Sequence, residues 1–174
     1  MSKQITIKPG GVFEQVEIEQ SDDVFWVNND TQPHWPVPWC YGLRVDPNKT
    51  SNMFQIFPGA TPNLPQQIQY QDALTGQTGV ILVYNDFQLV APPYTAPAAP
   101  TVTIPLTQGG KSPYDTSLST EVPSWVAFAE ATPDSSAGFN AVLTNPPRGS
   151  FTFNLNATDK LGKNIQQQIR ITVT

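Results

Sequence analysis

"SFTFNLNATDKLGKNIQQQIRITVT", residues 150–174, alternates with a period of two on both sides of a turn. Phe151, Phe153 and Leu155 interleave with Thr152, Asn154 and Asn156, and Ile169, Ile171 and Val173 repeat the pattern at the end of the chain. Successive side chains of a strand point to opposite faces, so this spacing puts the apolar set on one face and the polar set on the other. "TDKLGKN" places an Asp and a Gly between the two runs, as a tight turn requires. The stretch predicts a β-hairpin with one face in a core.

The same rhythm runs through the rest of the chain, and no segment holds a helical period for three turns. "VFEQVEIE" (12–19) sets Val12, Val16 and Ile18 against Gln15, Glu17 and Glu19, and predicts a strand with a solvated acidic face. Asp22 and Asp23 follow in the next turn, on opposite sides of the chain. "VFWVN" (24–28) is almost continuously apolar and suits a strand covered on both faces. "NMFQIF", "QQIQYQ" and "GVILVY" come next, then "TVTIPL", "SWVAFA" and "FNAVL", with Pro- and Gly-containing turns between them. The fold class expected is all-β, as two β-sandwich domains.

"VAPPYTAPAAP" (90–100) holds four prolines and four alanines and predicts a stiff, extended linker. The expected division is a sandwich over 1–90, a Pro/Ala-rich linker over 91–100 and a second sandwich over 101–174. Charge follows the same line: residues 1–96 carry 4 basic and 9 acidic side chains, whereas residues 97–174 carry 5 of each.

Composition removes several function classes. A net charge of −5 without a Lys/Arg run argues against nucleic acid and against a basic membrane-surface helix. The longest apolar run, "GVILVY", is too short to span a bilayer, so no membrane insertion is expected. "MSKQITIKPGG" has no apolar h-region, so no signal peptide is expected in this chain. H-E-x-x-H, C-x-x-C and G-x-S-x-G are all absent, and the acidic residues read as solvated faces. The chain is not expected to be an enzyme.

Two resemblances sharpen this reading. "VFWVNNDTQPH" resembles the cupredoxin pattern in which a buried strand ends in W-x-N-x-D and a histidine follows. "QIQYQDALTGQTGVILV" resembles that family's closing segment, where Y-x-C leads through a loop to a Gly and a last apolar strand. The resemblance covers about residues 4–85. It implies a Greek-key sandwich with His34, at the family's first copper-ligand position, brought near the 71–78 loop. Copper in that family takes two His, one Cys and usually a Met. Here Asp72 stands at the cysteine position, and no His or Met occurs after Met53. Neither a metal nor another cofactor is therefore expected.

Residues 101–174 resemble cadherin-like, immunoglobulin-type modules of bacterial surface proteins, through "VPSWVAFAEAT" and the A-T-D-x-x-G turn of "NATDKLGKN". The resemblance makes Trp125 a core residue and favours an extracellular or cell-surface setting. Asp159 in that turn reads as a turn cap rather than a calcium ligand, because the multi-carboxylate motifs such a site needs are absent.

"HWPVPWCY" (34–41) joins the only His and the only Cys to three large aromatics. Six extended residues span roughly 20 Å, so His34 and Cys40 meet at one ion only if the loop folds back. His34, Trp35, Trp39, Cys40 and Tyr41 are the candidate binding residues, since aromatic rings with polar tips are enriched at interface hot spots. The alternative is that Trp35 and Trp39 fold onto the core. The function expected is a non-enzymatic structural or adhesive module that associates with protein partners or itself; the alternatives are a carbohydrate- or peptide-binding protein using this loop and a copper protein with an atypical site at His34.

Overall fold

The computed structural model describes residues 1–40, 43–56, 65–118, 122–131 and 138–174. Tyr41 and the ends of "NMFQIF" and "VPSWVAFAEAT" lie outside them. Among the described residues there is no helix, and the chain divides into two compact units, Met1–Tyr84 and Asn85–Thr174. Both are all-β, built from pairs of sheets.

The first unit holds β1 (Ser2–Lys8), β2 (Val12–Phe13), β3 (Val16–Glu19), β4 (Asp23–Asn28), β5 (Pro36–Val37), β6 (Phe54–Gln55), β7 (Gln66–Asp72) and β8 (Thr78–Tyr84). One sheet has the order β2-β1-β4-β6 and the other β3-β8-β7-β5. β1 runs parallel to β4, and β3 parallel to β8. Between them lie Ile5, Ile7, Phe13, Ile18, Val24, Trp26, Tyr70, Ile81 and Val83, all buried.

"VFEQVEIE" is not one strand. The chain passes from β2 in one sheet to β3 in the other, and the crossing at Glu14 and Gln15 resets which side chains face inward. Phe13 is buried while Val12 is 54% exposed, and Glu19 is fully buried rather than solvated. Asp22 is buried as well, with Oδ1 2.6 Å from the Met1 amino group and Oδ2 accepting from the Glu19 N–H.

The second unit holds β9 (Gln88–Leu89), β10 (Tyr94–Ala96), β11 (Thr101–Pro105), β12 (Thr107–Gln108), β13 (Asp115–Leu118), β14 (Val126–Glu130), β15 (Phe139–Thr144), β16 (Gly149–Thr158) and β17 (Asn164–Val173). Its sheets have the orders β10-β17-β16-β13 and β11-β15-β14, with β9 and β12 as a separate pair. β16 and β17 form the expected hairpin, pairing from Gly149↔Val173 to Thr158↔Asn164. Asp159 caps its turn, accepting from the Lys163 N–H at 2.8 Å and tying in the Lys111 N–H at 2.8 Å. Gly162 takes φ +90° there, a conformation that glycine adopts without a Cβ clash. Trp125 is half-buried at the core's margin, edge-on to Phe151 at 4.7 Å.

The expected linker over 91–100 is corrected by the pairing. Tyr94–Ala96 is a strand parallel to Ile171–Val173, and the buried Tyr94 and Ala96 belong to the core of the second unit. Proline is tolerated beside an edge strand because the outer backbone groups need no ladder partner.

Candidate functional site

The apolar and polar positions of β4 continue past its end. Period two places Trp26, Asn28 and Asp30 on one inward face, and all three are buried. Asn28 braces the turn after the strand: its Nδ2 donates to the carbonyls of Gln32 and Val45, each at 2.8 Å, and its Oδ1 accepts from the Asp30 N–H. The chain then doubles back, and His34 makes a two-way backbone bridge with Val45.

His34 is 1% exposed and lies between two carboxylates. Its Nδ1 is 2.7 Å from Asp72 Oδ2, and its Nε2 is 3.0 Å from Asp30 Oδ2. An ionised carboxylate only accepts, so each of the two draws a ring N–H toward itself and both nitrogens of His34 are engaged. Gly11 closes the third side. A Cβ there would come within 2.9 Å of His34 Cε1, while Phe13 meets the ring edge-on at 6.0 Å.

Both carboxylates are held in their charged form. Burial alone would raise Asp72, but it is outweighed by donors from Thr75 Oγ1 (2.6 Å), His34, the Trp35 N–H (2.7 Å) and the Leu74 N–H (3.1 Å), and the net direction is down. Asp30 is lowered by the Thr31 N–H first, then by His34, against a small desolvation cost, with the Gly10 N–H adding to the lowering. The result is a closed Asp30–His34–Asp72 network. Sequence reasoning singled out His34 and noted Asp72 as the residue at the cysteine position and a poor substitute ligand, not as a partner of the ring. The substitution itself was the signal, because an acid opposite a buried imidazole pairs with it.

The side chains of Trp35, Trp39 and Cys40 make their contacts elsewhere than at His34's ring nitrogens. Trp39 stacks on Trp26 at 6.2 Å and meets Tyr70 edge-on. Trp35 is half-buried, and its indole N–H donates to the Cys40 carbonyl. Cys40 is 1% exposed within the same core as Trp26 and Tyr70, and burial pushes its thiol up to about 12. The folded protein is therefore expected to leave Ellman's reagent unreacted at pH 8, with one thiol released in guanidinium; prompt reaction of the native protein would mean that the loop opens.

These residues do not fit copper. Both imidazole nitrogens are already engaged by carboxylates, a hard carboxylate stands where a soft thiolate is needed, and Cys40 is a buried core residue. Among the described residues no group of three or more His, Cys, Asp and Glu is arranged to hold a metal ion. Among them, too, no helix is long and apolar enough to cross a membrane.

No protein-family model matches the chain, and no match is found among curated proteins. Among solved structures it is similar to domains 4 and 5 of the S-layer protein SbsC, at 7% identity and TM-score 0.33, over 77% of this chain and 87% of that one. It is also similar to a tandem from titin (12% identity, TM-score 0.30, 99% of this chain and 64% of that one). A Cu-containing nitrite reductase from Thermus scotoductus SA-01 gives 10% identity and TM-score 0.30, over 99% of this chain and 61% of that one. The chain thus spans under two thirds of the latter two. Scores this low leave the fold class to be read from the strands themselves.

Proposed function

We propose that the chain is a non-enzymatic structural or adhesive module: a cupredoxin-like sandwich whose metal position has become an ion network, followed by an immunoglobulin- or cadherin-like sandwich in an extracellular or surface assembly. The observation that carries this reading is the closure of the His34 site. Its ring is buried, both nitrogens are engaged, and Asp30 and Asp72 are saturated by backbone and hydroxyl donors. A group so enclosed neither binds a metal nor shuttles a proton to a substrate.

The test is copper content by mass spectrometry after loading and desalting, on wild type and on His34→Ala. Neither protein is expected to retain stoichiometric copper. Stoichiometric copper in wild type that His34→Ala loses would overturn the reading and restore the atypical copper site.

Partner binding has support of its own. Val12 (54% exposed), Leu43 (61%) and Leu74 (49%) are exposed apolar side chains of the first unit; Val12 follows Gly11, and the Leu74 N–H donates to Asp72. Exposed apolar side chains of this kind suit an adhesive contact with a protein.

A further inference from the structure

The hairpin that decides the fold has a second face. Its inward side chains, Phe153, Leu155, Ala157, Ile169 and Ile171, fill the core of the second unit. β13, β16 and β17 border an open groove of about 450 Å³ lined by the outward Ser117, Asn154, Asn156, Gln166 and Gln168, with Leu155 and Gln167 between them. They stand in register across three strands, Ser117 opposite Asn156, Asn156 opposite Gln166, and Asn154 opposite Gln168. We infer that this groove binds a neutral glycan.

The chemistry of the lining selects the ligand. Each primary amide presents a carbonyl acceptor beside two N–H donors, which pairs with neighbouring hydroxyls of a sugar ring. The amides repeat at about 4.8 Å across the strands and about 6.8 Å along them, so successive sugar units meet fresh amides. Asn156 is already oriented: its Nδ2 donates to Ser117 Oγ at 2.9 Å, and its Oδ1 accepts from Asn164 Nδ2 at 2.7 Å. Charge enters only at the ends. Asp115 lies across from Thr158 on one side and Arg170 across from Thr152 on the other, so a polyanion or a polycation would meet repulsion at one end. An uncharged polyol meets none. Among the described residues the face has no aromatic side chain for stacking, and each exposed hydrogen bond replaces one to water, so weak binding is expected.

This inference stands apart from the metal-free reading of the first unit. It also places carbohydrate away from the loop at 34–41. The experiment is a titration of the full chain with maltohexaose, cellohexaose and chitohexaose, followed by the side-chain amide signals in a nitrogen–proton correlation spectrum. At least one sugar is expected to give saturable shifts at Asn154, Asn156, Gln166 and Gln168. The double variant Gln166→Glu, Gln168→Glu is expected to weaken them about tenfold or more, with the backbone spectrum intact. Three outcomes would overturn it: no saturable shift with any of the sugars, saturable shifts confined to the Trp35 and Trp39 indoles, or shifts of the groove amides that follow protein concentration without sugar. The last would give the face to a second copy of the chain.

Discussion

Asp72→Ala is expected to lower the stability of the first unit by about 3–5 kcal/mol, the usual cost of removing one partner from a buried ion pair. The substitution strands more than a charge. It leaves the ring of His34 facing one carboxylate instead of two, and it orphans the N–H groups of Trp35 and Leu74 and the hydroxyl of Thr75. Unfolding in urea followed by tryptophan fluorescence reads this directly, because Trp26, Trp35 and Trp39 lie in the first unit and only Trp125 in the second. Asp72→Asn keeps the shape and one acceptor oxygen, and is expected to cost less. Should Asp72→Ala fail to fold, Asp72→Asn still carries the test. A change below about 0.5 kcal/mol in Asp72→Asn, the range of an ordinary surface substitution, would show that the network contributes nothing.

The same carboxylates set the acid limit. Asp30 and Asp72 each have a folded pKa below the ordinary 3.8. A lowered carboxylate contributes stability that is fully present above its unfolded pKa and is lost as pH falls through the folded one. The first unit should therefore keep this contribution at pH 5 and above, and lose it progressively below about pH 4. Asp72→Asn removes part of the slope, so the acid limb of its stability curve is expected to be shallower than that of wild type.

How far the sequence foretold this structure depends on whether a feature is local. β16 and β17 were legible because alternation and turn chemistry are both written within 25 consecutive residues. W-x-N-x-D was legible only as a resemblance to the cupredoxin pattern, and its placing of Trp26, Asn28 and Asp30 on one buried face came from the structure. β10 was not legible, because four prolines in "VAPPYTAPAAP" report local stiffness. The strand arises from pairing with Ile171–Val173, more than seventy residues away. Glu19 and Asp22 were misread as solvated because alternation cannot show where a chain changes sheets. At the site, His34 stood out by composition. Asp30 did not, because a spacing of four residues says nothing until the turn braced by Asn28 brings its carboxylate back to the ring.

Trp26→Ala is expected to cost a further about 3–5 kcal/mol, and through a different mechanism: a cavity in a packed aromatic cluster. Trp26 is fully buried, and its ring meets Trp39 at 6.2 Å, Phe54 at 5.9 Å and Tyr70 at 5.5 Å. Its indole N–H donates to the Tyr70 hydroxyl at 3.1 Å. Tyr70 has no room to follow it, because the Gly79 opposite is packed against the phenol so closely that a Cβ there would lie 2.2 Å from Cζ. The cavity therefore stays open on that side. It relaxes on the other, where Trp39 loses the ring it stacks on and the loop carrying Cys40 loosens. Trp26→Ala should accordingly expose the thiol to Ellman's reagent under native conditions, whereas Trp26→Phe, which keeps one aromatic ring in the cluster and loses the N–H with part of the ring volume, should leave it protected. A protected thiol in both variants would mean that the Trp35 indole bond to the Cys40 carbonyl holds the loop without help from the core.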